Sequence, residues 1–172
     1  ARQCESLESL VVDGLAVAAQ ALVAMYIGQG KKGTARRLCR RLLVLGAVTG
    51  SALGALLYLL SGPIAHSFTS DVAVLAEARK AMPLVALMQL PSALAYILDG
   101  ISLGARDFKF LGIAMFFCVL PALAVLVSVA ALTDLGLRTL WLASGTLIVA
   151  RVLVLTHRFN SRNGPLGAHV VK

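Results

Sequence analysis

The sequence predicts an all-α, polytopic membrane protein with about five transmembrane helices. Three observations point there. Of the 172 residues, 59% are hydrophobic and 14% charged, whereas roughly a quarter of a soluble domain is charged. The apolar residues fall in runs long enough to cross a bilayer. The Lys and Arg residues gather in the short stretches between those runs, as loops on one side of a membrane do. A mean hydropathy of +0.86 is too high for one small core to hide.

The same layout limits what the basic bias means. The net charge is +8 and the pI about 10.0, values that first suggest nucleic acid. The cations sit in short loops with no broad face on which to gather, so a nucleic-acid partner is not expected. Cys4, Cys39 and Cys118 show no CxxC spacing, which suggests neither a disulfide framework nor a metal site. They read as small buried hydrophobes.

The first run covers residues 10–27, LVVDGLAVAAQALVAMYI. Asp13 and Gln20 are seven residues apart and share a helix face, a candidate polar stripe toward a cavity. Facing headgroups or an outer vestibule is the plainer role for Asp13. Small residues fill much of the rest, which suits close helix packing. Residues 28–41, GQGKKGTARRLCRR, carry six basic residues and no acid. The glycines end the first helix. Residues 34–41 are expected to form a short helix at the membrane interface, with Leu38 dipping inward. As a phosphate-binding loop the stretch fails, because it lacks the required spacing and follows no strand.

The second run, residues 42–60, is uncharged. Its 19 residues reach about 28 Å at 1.5 Å each, enough to cross. Gly46, Gly50 and Gly54 make two GxxxG steps in register, a helix-packing seam. Gly62-Pro63 breaks the helix. Thr69, Ser70 and Asp71 suit an N-cap for the next one, which is expected to be in the membrane over residues 81–103. Pro83 and Pro91 would bend it, which membranes tolerate inside protein or beside water. Gln89 and Tyr96, seven apart, are candidates for solute contact or for interhelical hydrogen bonds.

Asp99 lies in the same run. A carboxylate in a membrane segment is expensive and therefore a candidate site. Two readings stand side by side. It is a proton-sensing or cavity-lining acid, or it is structural, hydrated near the inner end, capping a loop or paired with Arg151. The fourth run, residues 110–132, has Pro121 at its middle as a third bending position. The fifth, residues 139–156, starts near Trp141, an interfacial anchor. Its Arg151 is expected to snorkel toward His157 and Arg158.

With residue 1 outside, twelve of the basic residues fall on the inner side and four on the outer. The positive-inside rule then puts the C-terminus in the cytoplasm, or in the stroma for a plastid membrane. The start shows no initiator Met and no signal-peptide pattern. With an odd number of spans, the chain reads as one piece of a longer transporter-like protein whose halves are related.

Three stretches resemble one family. They are Asp13 to Ala24 with Gly28 and the basic loop, then Phe68-Thr-Ser-Asp71, then Leu98-Asp-Gly100 with Gly104-Ala-Arg-Asp-Phe108. In this order and spacing they are similar to the C-terminal half of a multidrug and toxic compound extrusion (MATE) transporter of the DinF-like, plant-type branch. Gly136-Leu-Arg-Thr-Leu-Trp-Leu142 and Gly164-Pro165 resemble the last helix of plant members. The resemblance implies a twelve-helix fold in two six-helix lobes, with residues 1–172 supplying most of the C-terminal lobe and the N-terminal lobe as its missing partner. It implies export of organic solutes, drug-like cations or organic anions such as citrate, by antiport. Counting back from the Gly104–Asp107 turn, Ser92 stands where the sodium-type branch has a cation-binding acid. Proton coupling is therefore placed ahead of sodium, with the principal titrating acids in the other lobe.

Two rivals are a truncated or scaffold-like membrane protein without transport of its own, and a related lipid-linked sugar flippase. An enzyme is not expected, since His66, His157 and His169 fall at span ends or in the tail and form no triad with Ser and Asp. No cofactor beyond the ion gradient is implied. The expected surroundings are the lipid bilayer of the plasma membrane or plastid envelope.

Overall fold

The computed structural model describes the backbone of residues 2–63, 72–132 and 137–161, with Gly164 and Leu166, and the side chains of 12–63, 81–125, 127–128, 141–161, 164 and 166. Five long helices follow one another: α1 (Arg2–Gly28), α2 (Lys32–Leu59), α3 (Val72–Gly104), α4 (Phe108–Leu132) and α5 (Leu137–Asn160). Among the described residues there is no strand. Where no water reaches the backbone, each N–H must be satisfied within its own segment, and a helix does this. Four helical segments are long and apolar enough to span a bilayer: α2, Ala81–Gly104, Phe108–Val125 and Trp141–Asn160. The apolar part of α1, Val12–Gly28, is shorter. The Thr69–Asp71 cap lies outside the described residues.

The same turn closes α1 onto α2 and α3 onto α4. At the first, Gly30 N–H donates to the Ile27 carbonyl and Lys31 N–H to the Tyr26 carbonyl, both at 2.9 Å. At the second, Arg106 N–H donates to Leu103 and Asp107 N–H to Ser102, both at 3.0 Å. Each is a Schellman closure with a left-handed residue after the helix. Gly30 adopts φ +73° without a steric penalty, whereas Arg106 adopts φ +58° with one. The second turn tolerates that cost, and Asp107, next in sequence, is held by an ion pair described below.

The basic stretch corrects one expectation. Residues 34–41 are the first turns of α2, not a separate interfacial helix. Thr34 and Ala35 N–H groups already bond to the Lys31 carbonyl at 3.1 Å, and no breaker follows until Gly62. Ala35, Cys39 and Leu42 are buried at helical spacing, so this part of α2 packs into the bundle and cannot lie flat on a membrane.

Helix α3 is the hub, touching all four other helices. It continues through Pro83 and Pro91, and α4 continues through Pro121. Pro91 removes the helical donor to the Leu87 carbonyl, and Pro121 removes that to Phe117. On one side, Gly46, Gly50 and Gly54 of α2 are buried against Ile97, Ala93 and Ala86 of α3. A Cβ at Gly50 would stand 2.9 Å from the Gln89 carbonyl oxygen and 3.1 Å from Leu90 Cα. The missing side chains are what let the two backbones approach. On another side, Gly100 and Gly104 of α3 receive the backbone of Ala16 and Gln20 of α1. Outward-facing residues such as Val44 (65% exposed) and Phe116 (67%) are large and apolar. Water would penalise that surface, and lipid does not.

Candidate functional site

Asp99 is the one buried charged residue among the described side chains. Two features of α3 place it there. Gly100, its neighbour, draws α1 close, and Ile97, Leu98 and Ile101 form the core around it. Its carboxylate accepts two hydrogen bonds from Arg151 of α5: Nε donates to Oδ1 at 3.1 Å, and Nη2 donates to Oδ2. This is a two-pronged, charge-assisted contact, the geometry for which a guanidinium is shaped.

A second pair lies further toward the α3–α4 turn. Arg158 Nε donates to Asp107 Oδ2 at 2.8 Å and Nη2 to Oδ1 at 3.4 Å. The Arg158 guanidinium also stands over the Phe110 ring, 4.7 Å from its centre, a favourable cation–π arrangement. Arg151 and Arg158 are seven residues apart, two helical turns or about 10.5 Å. Asp99 and Asp107 are eight apart. The two pairs therefore stack as rungs against α5, the first reaching it from α3 and the second from the α3–α4 turn.

Arg151 thus turns inward to Asp99 and does not snorkel toward His157 and Arg158. The reason is energetic: a buried carboxylate without a counter-charge is far costlier than a paired one. The second rung escaped sequence reasoning, although paired acids and arginines both spaced about two turns apart carry the signal. The Gly100–Gly104 step carries a signal too, a GxxxG spacing within the family-like stretch.

The structure scatters the remaining candidates. Asp13 and Gln20 are exposed on α1, and it is the backbone of Gln20 that meets Gly104. Gln89 is half-buried and lies toward α2, its Cβ 3.4 Å from where a Cβ on Gly54 would be. Tyr96 is 43% exposed. Pro83 and Pro121 are exposed, and Pro91 and Ser92 are half-buried. Among the described residues, no cluster of three or more His, Cys, Asp and Glu side chains forms a potential metal site. Chemically, the Asp99–Arg151 pair is a closed, neutral unit: the carboxylate has its counter-charge in the guanidinium, and the guanidinium has its acceptor.

Membrane-length helices, packed by glycine stripes and tied by internal ion pairs, make this an integral membrane protein of the polytopic helical class. Its family follows from comparison: the chain belongs to the MatE family, whose model matches residues 5–129. Among similar proteins of Arabidopsis thaliana, Protein DETOXIFICATION 44, chloroplastic, is 33% identical over 157 residues, 91% of this chain and 30% of the relative. Protein DETOXIFICATION 45, chloroplastic, is 31% identical over 91% of this chain and 28% of the relative. An uncharacterized transporter of Schizosaccharomyces pombe is 29% identical over 137 residues, 79% of this chain and 25% of that protein. The chain spans about 30% of the length of the curated relatives it matches first. No solved structure matches it.

Proposed function

We propose that the protein to which this chain contributes is a secondary active transporter that exports an organic solute in exchange for protons. The observation that carries this reading is the MatE match over residues 5–129, and it favours a transporter over a lipid-linked sugar flippase or a scaffold. In this reading the chain forms most of the C-terminal lobe, which moves against an N-terminal lobe around a central cavity. The α3 prolines, Pro83 and Pro91, supply the sites where that helix changes shape. Drug-like cations and organic anions such as citrate are the solute classes to test.

Asp99 acts in this scheme as a tie between α3 and α5, not as the ion carrier. Its pairing with Arg151 supports that role, because the guanidinium occupies both carboxylate oxygens, which a carrier acid must offer to a proton from solvent. Proton coupling then rests on the other lobe. The chloroplast labels of two relatives favour a plastid envelope, and the basic α1–α2 and α3–α4 turns favour the stromal or cytoplasmic face for that end of the bundle.

The test is solute efflux by the full-length protein in sealed vesicles with an imposed pH or sodium gradient. Efflux should follow the pH gradient and ignore the sodium gradient. Efflux indifferent to both would overturn the antiporter reading.

A further inference from the structure

The cations of this chain divide by direction. Arg151 and Arg158 point into the bundle, and each meets a carboxylate. Arg37, Arg40 and Arg41 are exposed on α2 and have no acidic partner among the described residues. No Asp or Glu occurs from residue 14 to residue 70. We propose that Arg37, Arg40 and Arg41 hold the phosphate of an anionic phospholipid whose acyl chains lie along Val44, Leu45 and Val48.

Periodicity carries the first step. At about 100° per residue, these six positions fall within an arc of about 140° on one side of α2. Along that arc the chemistry changes once. Three arginines head it, and then come Val44, Leu45 and Val48, which are 65%, 49% and 62% exposed. One helical turn, about 5 Å, separates Arg41 from the first apolar residues. Cation above and exposed hydrocarbon below is the profile of a phospholipid, phosphate above and acyl chain below. α4 begins in the same order, with Lys109 followed by Ile113, 58% exposed.

Rigidity carries the second step. The opposite face of this part of α2 is anchored, with Ala35 and Cys39 fully buried in the core. The backbone bearing the arginines is therefore fixed before lipid arrives, and little order must be imposed on binding. A guanidinium takes two phosphate oxygens at once, and three on adjacent turns suit one phosphate better than scattered lysines do. Juxtamembrane cations attract anionic leaflets in general, each adding about fivefold to affinity. The added claim is a fixed position on α2 and a continuous apolar track below it. It rests on the membrane-spanning character of α2 and is independent of transport.

The test uses the purified full-length protein. Native mass spectrometry should show phosphatidylglycerol retained in preference to phosphatidylcholine. Arg37→Gln with Arg41→Gln should reduce that preference about twenty-five-fold, two steps of about fivefold, while Arg37→Lys with Arg41→Lys should keep most of it. Excess inorganic phosphate should leave the lipid bound; displacement by phosphate alone would assign the arginines to a free anion and overturn the lipid site. If the Gln pair does not fold, the unsubstituted protein decides. In nanodiscs, amide exchange over residues 34–45 should be slower with phosphatidylglycerol than with phosphatidylcholine. Equal retention of both lipids, or exchange that ignores headgroup charge, would refute the proposal.

Discussion

Helix α3 is held on two sides by opposite kinds of chemistry. Toward α2 the contact is apolar and so close that Gly50 lies within reach of α3 backbone atoms. Toward α5 the contact has a carboxylate–guanidinium pair, Asp99–Arg151, and a second, Asp107–Arg158, follows in the turn just beyond α3. The glycine seam works through surface shape, because burying hydrocarbon brings no gain when the solvent is lipid. The ion-paired seam works through the high cost of parting charges where water is scarce. The first tolerates sliding as long as the stripes stay in register. The second fixes rotation and height, since each arginine fits one carboxylate. The C-terminal part of α3 is therefore tied to α5, while its middle rests on α2 through shape alone.

The sharpest way to break this contrast is at the glycine seam. In the full-length protein, Gly50→Leu should lower stability by about 3 kcal/mol or more, read as loss of the folded peak in detergent or a large fall in melting temperature. The atoms it meets are backbone at 2.9 and 3.1 Å and cannot rotate away. A melting temperature within a degree of the unsubstituted protein would mean that the two helices are not in contact.

The next effect is at the inner rung. Asp99→Asn leaves the half-buried Arg151 without its counter-charge and should cost on the order of a few kcal/mol. Adding Arg151→Gln should restore part of the loss, which a double-mutant cycle measures as coupling. Asp107→Asn should cost less, about 1 kcal/mol, because Asp107 is half-buried where Asp99 is buried, and Arg158 keeps its Phe110 contact. Equal effects at the two rungs would show that depth does not grade them.

The smallest effect runs the other way. A methyl group added at Gly14 would have nothing within 4 Å, so Gly14→Ala should be neutral or stabilise α1 by up to about 1 kcal/mol through helix propensity. A melting-temperature drop comparable to that of Gly50→Leu would indicate a neighbour at Gly14 in the full-length protein.

The all-helical membrane class, the apolar runs and the α2 glycine stripe are all legible in the residue order. Each is a one-dimensional property: run length, charge spacing, or a period of four. That order also makes Asp99 conspicuous, since one acid in an apolar run needs no partner to be noticed. The folded bundle adds which helix meets the glycines, that Gly100 and Gly104 form a second seam with α1, and that Arg151 turns inward. It also joins the basic stretch to α2 as continuous helix. The contacts between helices depend on which faces oppose one another across long stretches of chain, 52 residues for Asp99 and Arg151. A carboxylate and a guanidinium at that separation acquire their energy only when the bundle brings them together and keeps water away.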